Sequence, residues 1–259
     1  MVHFQTRLSE IIQDGIEAEG HDYAPDPQKG HFRASALPYC SRKLVFQYFL
    51  GWDYPEDSPI IIARNVGIAI HKFFQGLLES EQVRIEEKVE MDIDGIKLMG
   101  HADLIILDLE KYYILLDIKT TDQLGAVITK GPKEHHVAQL VIYLAAIEKK
   151  LECEKKDDKP LWGVLWYLDR LSSVLELLNS EKWQFFDVEL DEENQEMFSA
   201  LVEKGRRVQA TLTEGLLPEK DAQSWECKNR AATCPYYQFC YETYFERVED
   251  LDPFLKINP

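Results

Sequence analysis

The sequence predicts an α/β domain with a mixed central sheet flanked by helices. The first observation behind this expectation is a change in hydrophobic period, from helical spacing before Arg84 to alternation between Arg84 and Lys119. The second is a return to helical spacing in the stretch that begins at Lys133. The third is size: 259 residues, 45% hydrophobic and 29% charged, can bury one large core or one core with an appendage.

Two helices are predicted before the alternating region. The first begins near Pro38 in "PYCSRKLVFQYFLG", because proline favours an early helical position and glycine a helix end. The second runs from about Ile61 to Leu78, with an apolar stripe at core-facing spacing: Ala63, Gly67, Ile70, Phe74 and Leu77. An adjoining face of this second helix carries three polar side chains: Arg64, His71 and Gln75.

Three consecutive strands are predicted between Arg84 and Lys119. The Asp-Gly pair in "VEMDIDGIKLMG" separates two alternating segments and predicts a hairpin turn. In the second strand, Asp103 points away from the apolar face of Leu98, Ala102, Leu104 and Ile106. In the third strand, Asp117 and Lys119 point away from the apolar face of Ile114, Leu116 and Ile118.

The remaining elements alternate between helices and strands. The helix in "KEHHVAQLVIYLAAIEKK" places Val137, Leu140, Val141 and Leu144 inward, with His136, Gln139 and Tyr143 on a neighbouring face. Strands follow in "LWGVLWYLD" and "EKWQFFDVELDEEN", and a helix runs from Glu192 to about Thr211. The glycine-containing segment "TTDQLGAVITKGPKEHH" is interpreted as a loop that contacts the substrate. The expected organisation is an N-terminal helical segment over residues 1–60, a core over 61–212 and a C-terminal cysteine-bearing segment over 213–259.

Charge and cysteine content limit the class of protein. A net charge of −17, from 29 basic and 46 acidic residues, excludes a protein that coats nucleic acid through its overall field. No stretch approaches the roughly 18 apolar residues of a membrane span, and the N-terminus lacks the order of a secretory signal. We therefore expect a cytoplasmic protein with no membrane partner, in which five cysteines serve ligation or burial rather than disulfides.

Asp103 and Asp117 point to a metal site. If their strands pair, the two carboxylates lie side by side and repel each other unless a cation sits between them. Oxygen ligands of this kind favour Mg²⁺ or Mn²⁺, and His71 could add a nitrogen ligand from the preceding helix. A metal held there can activate water and stabilise charge on a phosphodiester oxygen, with Lys119 on the same face of the sheet.

Four short motifs, in this order, resemble those of the PD-(D/E)XK nucleases of the RecB type, including the CRISPR-associated exonucleases that carry an iron-sulfur cluster. They are "GIAIH" (67–71), "GHAD" (100–103), "LDIK" (116–119) and "QLVIY" (139–143), and the resemblance extends over about residues 38–245. It implies a restriction-endonuclease-like fold. The third-motif acid is Asp117 where the RecB type more often has glutamate.

The resemblance also implies roles for individual residues. Metal ligands would be His71, Asp103, Asp117 and the carbonyl of Ile118, and Lys119 would be the catalytic lysine. Gln139 and Tyr143 would contact the DNA strand or steady the lysine. Basic side chains on elements that could border the cleft are Arg42, Lys43, Arg64, Lys130 and Lys133; of these, Arg64 is the candidate for DNA binding. Glu87 is interpreted as a strand-edge residue, and His101 and His136 receive no role.

The cysteines form a second candidate site. Cys227, Cys234 and Cys240 are separated by six and then five residues, and Cys40 stands near the start of the first predicted helix. Four thiolates suit a [4Fe-4S] cluster or a tetrahedral zinc. In the iron-sulfur RecB-type nucleases one N-terminal and three C-terminal cysteines hold the cluster, so the resemblance implies these four as ligands. The expected fold then includes a cysteine-ligated cluster cap that joins the N- and C-terminal segments. The gap "KNRAAT" is longer than usual in that family, which leaves zinc or another cluster type open, and Cys153 is expected to be an unrelated thiol.

The expected function is a metal-dependent DNA nuclease, acting as an exonuclease on single-stranded DNA or DNA ends. CRISPR adaptation, recombination and repair are all compatible settings, with proteins of those systems as partners. One alternative is a subunit that binds DNA ends and other proteins with little nuclease activity of its own. Another is a structural, cluster-bearing subunit, against which the intact set of Asp103, Asp117 and Lys119 argues.

Overall fold

The computed structural model describes residues 31–50, 59–107, 113–153, 160–177, 180–218 and 246–251, together with Cys234, Tyr236 and Cys240. The strands are β1 (Phe32–Arg33), β2 (Val83–Ile93), β3 (Ile96–Ile106), β4 (Tyr113–Thr121), β5 (Leu161–Asp169) and β6 (Trp183–Val188). The α-helices are α1 (Ser41–Leu50), α2 (Pro59–Leu78), α3 (Leu124–Lys130), α4 (Glu134–Cys153), α5 (Val174–Leu177) and α6 (Glu192–Thr213).

The strands form one mixed sheet in the order β1-β3-β4-β5-β6, with β2 paired to β3 as well. The pairs β2–β3, β3–β4 and β5–β6 are antiparallel, whereas β1–β3 and β4–β5 are parallel. The turn between β2 and β3 is Asp94–Gly95, and both residues have positive φ, 51° and 86°. This is the backbone that a tight two-residue hairpin requires, which explains the Asp-Gly signal in the sequence.

Helices cover both faces of the sheet. On one face, Ile70 and Phe74 of α2 pack in a cluster with Leu116, Ile118 and Trp166 of the sheet. On the other face, α4 contributes side chains that are fully buried: Leu140, Val141 and Leu144. The expected α/β architecture, a mixed central sheet flanked by helices, is therefore confirmed.

Several local predictions are wrong in detail. Helix α1 begins at Ser41 rather than Pro38, and Leu77 is 57% exposed instead of buried. The segment interpreted as a substrate loop contains helix α3, which buries Leu124 and Val127. Alternation in β3 is also interrupted, because Ala102 belongs to the cluster under α4 and Leu104 to the cluster under α2.

The N-terminal and C-terminal segments meet. Nε of Arg42 on α1 donates to the carbonyl of Pro218 at 2.6 Å, and the rings of Phe46 and Tyr236 lie 5.3 Å apart. The cluster under α4 contains residues from Phe32 to Leu251, so the described parts of all three expected segments share one core. Among the described residues, the helices all fall short of the length and apolarity needed to cross a bilayer.

Candidate active site

The site lies at a break in the pairing of β3. Strand β2 pairs along one edge of β3 from Ile96 to Ile106, except at Asp103. The opposite edge is shared, since β1 pairs at Leu98–Met99 and β4 at Leu104–Ile106. The motif "GHAD", residues 100–103, falls between these two ladders. A backbone without strand partners on one edge must find other hydrogen bonds, and side chains can therefore enter.

Asp103 and His71 form hydrogen bonds with the backbone of β4 just beyond the end of the β3–β4 ladder. The ladder ends at Leu104–Leu116, and the next inward-facing peptide on β4 belongs to Ile118. Its N–H donates to Oδ2 of Asp103 at 2.7 Å. The ring of His71 on α2 makes a hydrogen bond with the backbone of Ile118, and its Nδ1 lies 3.5 Å from Asp103 Oδ2.

A second chain of contacts leads from Asp117 to α4. Nζ of Lys119 lies 2.6 Å from Oδ2 of Asp117 and donates to Oε1 of Gln139 at 3.1 Å. Nε2 of Gln139 donates to the hydroxyl of Tyr143 at 3.2 Å. Tyr143 is buried, with 3% of its surface exposed, so its contact with Gln139 orients the amide that holds the lysine.

Gly100 makes room for Tyr143. A Cβ atom at Gly100 would come within 2.7 Å of the hydroxyl and of a ring carbon of Tyr143. Only glycine lets the strand approach the ring this closely. The first residue of "GHAD" therefore supports the Tyr143–Gln139–Lys119 contacts from the opposite side of the site.

Burial shifts the ionisation of all three predicted side-chain ligands. Desolvation raises the pKa of Asp103 and of Asp117 to about 6 in each case, although the Lys119 ammonium acts in the opposite direction. Desolvation, with a smaller effect of Lys119, lowers the pKa of His71 to about 4. At neutral pH the two carboxylates are therefore ionised but take up protons more readily than exposed carboxylates do. The imidazole of His71 beside them is neutral and can act as a nitrogen ligand.

The donor set fits a divalent cation. Asp117 is 1% exposed, and no described hydrogen-bond donor reaches its Oδ1. A buried carboxylate oxygen in this state is one that Mg²⁺ or Mn²⁺ satisfies. Within the described ranges, no three His, Cys, Asp or Glu side chains converge closely enough to enclose an ion. Asp117 and Asp103 instead contact Lys119 and Ile118, so the oxygen and nitrogen donors are present but face protein partners.

Other predicted site residues lie at varied positions. Arg64 is on α2, two turns before His71, with its Nε and Nη2 atoms buried. Glu87 lies away from the site, in ion pairs with Arg84 and Lys150. His101 is exposed, and Lys130 and Lys133 are exposed as well. Arg42 and Lys43 are buried, 7% and 5% exposed, which removes Arg42 in particular from the surface of the cleft.

A group of histidines and aromatic rings borders Lys119 at the start of α4. Nδ1 of His136 lies 2.6 Å from the hydroxyl of Tyr167, and the ring of His135 lies 5.2 Å from that of Tyr39. Burial, together with Lys119 and Lys133, lowers the pKa of both histidines, that of His135 to about 4. Lys119 and Lys133 thus place positive charge beside these two histidines in a chain with a net charge of −17.

The cysteines are only partly described. Cys40, Cys234 and Cys240 are buried, and Cys227 lies outside the described residues. Cys40 precedes α1, and Tyr236, between the two C-terminal cysteines, packs on Phe46 of that helix. The described parts of the N-terminal and C-terminal segments therefore contact each other near these residues.

Sequence reasoning missed Glu86 and left Gln75 without a role. Nε2 of Gln75 donates to Oε1 of Glu86 at 2.6 Å and to the carbonyl of Asp103 at 3.4 Å. Gln75 stands one helical turn after His71, a spacing that marks it as a neighbour of the site. Glu86 gave no such signal, because strand alternation placed Glu87 rather than Glu86 on the inner face.

Similar folds occur among solved structures at low sequence identity. The crystal structure of SSO0001 has a TM-score of 0.55 and 19% identity, covering 92% of this chain and 98% of that one. An alkaline exonuclease (LHK-Exo) from Laribacter hongkongensis has a TM-score of 0.42 and 15% identity, and the match covers 72% of this chain and 94% of that one. A phage related exonuclease from Haemophilus somnus 129PT has a TM-score of 0.47 and 12% identity, and the match covers 71% of this chain and 95% of that one. No curated protein matches the chain.

A family model supplies the assignment. The model of the PD-(D/E)XK nuclease superfamily matches residues 69–241, about two thirds of the chain. The matched range contains His71, Asp103, Asp117 and Lys119, which the fold brings together at the open edge of β3. The chain belongs to the PD-(D/E)XK nuclease superfamily.

Proposed function

We propose that this protein is a metal-dependent DNA nuclease that acts as an exonuclease on single-stranded DNA or DNA ends. The observation that carries the proposal is the set of contacts between α2, β3 and β4: His71 with Asp103, Asp103 with the Ile118 N–H, and Lys119 with Asp117. The RecB-type motif layout favours exonuclease action. CRISPR adaptation, recombination or repair is the proposed setting.

Asp103 and Asp117 supply the oxygen ligands in this proposal, and His71 and the Ile118 carbonyl complete the set. When bound, Mg²⁺ or Mn²⁺ supplies a Lewis acid that activates water and offsets charge on the phosphodiester. Cation binding requires both carboxylates to be ionised, which their buried position disfavours in the metal-free protein. Because of the raised pKa values, the cation must compete with protons for both carboxylates when it binds.

Lys119 is the proposed catalytic residue. Its ammonium is held from two sides, by Asp117 Oδ2 and by Gln139 Oε1, and only 15% of its side chain is exposed. A cation fixed in this way can orient the attacking water or neutralise charge that develops on the phosphate. In hydrolysis the water oxygen bonds to phosphorus, the ester P–O bond breaks, and the leaving oxygen takes up a proton.

The substrate backbone is proposed to pass beside the start of α4. There Lys133 is exposed, and Lys119 and Lys133 add positive charge to the burial that lowers the pKa of His135 and His136. Gln139 and Tyr143 support Lys119 in this account, because Tyr143 is buried and reaches no open surface. Arg64 remains a proposed DNA contact.

The test is degradation of end-labelled DNA by protein purified anaerobically, in the presence of Mn²⁺. We expect wild-type protein to degrade single-stranded or tailed DNA, and Lys119→Ala or a chelator to abolish the activity. Lys97→Ala is the matched control, because Lys97 is exposed on the hairpin and distant from the site in the sheet register. No degradation of single-stranded, duplex or tailed DNA by folded, Mn²⁺-loaded protein would overturn the proposal and favour the DNA-end-binding subunit.

We propose in addition that Cys40, Cys227, Cys234 and Cys240 hold a [4Fe-4S] cluster, with zinc as the alternative. Three of the four are buried, and their segments contact each other through Phe46 and Tyr236. An anaerobic absorbance spectrum with iron and zinc counts tests this. Cys234→Ser should remove the metal and Cys153→Ser should not; protein without stoichiometric iron or zinc would contradict the proposal.

A further inference from the structure

Glu86 has an unusual backbone for its position. Its φ is +50°, in the left-handed region, although it lies inside strand β2. Among the described residues only Asp94 shares this feature outside glycine, and Asp94 is explained by the hairpin turn. A left-handed conformation costs an L-residue free energy, and such residues are enriched at functional sites.

The irregular residue stands directly opposite Asp103. Ile85 pairs with Leu104 and Glu87 with Ala102, and the pair between them, Glu86 with Asp103, is missing from the ladder. The alternation of side chains in β2 is interrupted here. Residues 85 and 89 would share a face in a regular strand, but Ile85 packs with the cluster under α2 and Val89 belongs to the cluster under α4. The irregular residue thus leaves Ile85 and Glu86 both on the α2 side of the sheet, whereas Glu87 contacts Lys150 of α4 on the other side.

The two neighbouring glutamates consequently have different environments. Glu87 is neutralised by Lys150 and Arg84. Glu86 accepts a hydrogen bond from Gln75, and among the described residues it forms no ion pair with Lys, Arg or His. Burial sets the direction of both neighbouring pKa shifts; the negative charge of Glu86 adds a little to the rise at Asp103 and partly opposes the lowering at His71.

Gln75 links Glu86 to the metal-binding strand. It is 6% exposed, and its amide nitrogen reaches both the Glu86 carboxylate and the Asp103 carbonyl. Since Asp103 has no strand partner on either edge, this contact is one of the few that fix its backbone.

We propose that Glu86 is a positioning residue of the active site: through Gln75 it fixes Asp103, and its carboxylate adds a third negative charge beside the divalent cation. The inference rests on the proposed nuclease function. It explains why β2 holds a glutamate in a strained conformation at this position. Glu86 acts on the cation through charge and through Asp103, and it does not contact the substrate.

The test measures Mn²⁺ affinity by calorimetry on the full-length protein, with Glu87→Gln as the matched control. Glu86→Gln keeps an oxygen that can accept from Gln75 and removes only the charge. We expect it to weaken Mn²⁺ binding about tenfold, as removal of a nearby unit charge at a partly buried site does. The Mn²⁺ concentration for half-maximal DNA cleavage should rise by the same factor, while Glu87→Gln stays within about twofold of wild type.

Thermal unfolding without metal separates this role from a purely structural one. Glu86→Gln should keep the wild-type Tm, because the hydrogen bond and the backbone are retained. Gln75→Met should also weaken Mn²⁺ binding, and the double variant should lose less than the sum of the two, because both act on Asp103.

Two results would overturn the inference. In the first, wild-type protein binds Mn²⁺ and cleaves DNA, and Glu86→Gln binds Mn²⁺ as tightly or loses no more affinity than Glu87→Gln; the proposed function then survives alone. In the second, wild-type protein neither binds Mn²⁺ nor cleaves DNA, and both proposals fail together.

Discussion

The two ends of the contact between β3 and β4 differ sharply, although they are only a few residues apart. At one end, Ile105 pairs with Leu115 in a regular ladder, and both side chains are at most 1% exposed. At the other end, just past Leu104–Leu116, the ladder stops and carboxylates replace aliphatic side chains. There, Asp103 accepts from the peptide N–H of Ile118.

The difference shows how one strand pair can serve as core and as site. In a continuous ladder the peptide groups of the two strands bond to each other. The side chains there need only to pack in the apolar core. Where the ladder opens, peptide groups need partners, and buried carboxylates can supply them at the cost of desolvation. The raised pKa of Asp103 and Asp117 reflects that desolvation, which a bound divalent cation would offset.

The largest expected effect comes from removing one charge at the open end. Asp117→Asn keeps the shape of the side chain and removes a metal ligand, so we expect Mn²⁺-dependent DNA cleavage to fall by a factor on the order of 10³. Single-turnover cleavage of labelled DNA measures this. Asp122→Asn, an exposed partner of Arg170, should keep activity within about twofold. Equal losses of cleavage activity in Asp117→Asn and Asp122→Asn would contradict the assignment of the site to the unpaired end of the β3–β4 contact.

At the paired end the expected effect is on stability instead. Leu115→Ala removes a fully buried side chain, so we expect unfolding free energy to fall by about 2–5 kcal/mol. Activity per folded molecule should remain near that of wild type, because Leu115 packs in the apolar cluster under α4. Urea unfolding followed by circular dichroism, with cleavage rates at low urea, checks both parts. Cleavage lost in fully folded Leu115→Ala protein would contradict this division of roles.

Gly100 offers an intermediate effect at the edge of the opening. Gly100→Ala places a Cβ 2.7 Å from Tyr143, which must move and disturb the Gln139 contact to Lys119. We expect cleavage to fall about 10- to 100-fold, since small misplacements of catalytic groups cost rates of this size.

Gly125→Ala is the control for this change, because its Cβ would meet nothing within 4 Å on α3. It should retain full activity and gain a few tenths of a kcal/mol to about 1 kcal/mol in stability. If Gly100→Ala retained full activity, Tyr143 would have no part in holding Lys119.

The smallest effect is a dependence on pH. Asp103 and Asp117 have pKa values near 6 in the folded metal-free protein, against an ordinary value of 3.8. The folded state therefore binds protons more tightly, and its stability falls as pH rises between these values. In a chelator, Tm should be higher at about pH 5 than at about pH 7.5, relative to Asp103→Asn. Added Mn²⁺ should raise Tm more at the higher pH, where it does not compete with protons; equal increments at both values would argue against carboxylate ligands.

Much of the site was predictable because it depends on local pattern. Asp117 and Lys119 lie two residues apart in β4, so their shared face follows from a period of two, and the Asp94–Gly95 turn makes β2 and β3 neighbours. His71 follows from helical spacing on α2. The orientation of Asp103 was not predictable in the same way, because alternation in β3 is interrupted between Ala102 and Leu104.

Glu86 was not predictable, because its orientation depends on one left-handed residue that sequence propensities do not favour. The pairing of β1 with β3 was missed for a related reason: it is a contact between residues far apart in the chain and only two residues long. Helix α3 was interpreted as a loop because Gly125 and Gly131 suggested irregular backbone, although burial of Leu124 and Val127 outweighs that preference.

The most direct test of the central claim is the location of Mn²⁺ in crystals of the full-length protein soaked with the ion, read from anomalous scattering. The account predicts a peak at the open edge of β3, with oxygens of Asp103 and Asp117 about 2.0–2.3 Å away. Asp117→Asn crystals should lose this peak. A strong Mn²⁺ peak elsewhere, with none between these two carboxylates, would contradict the account.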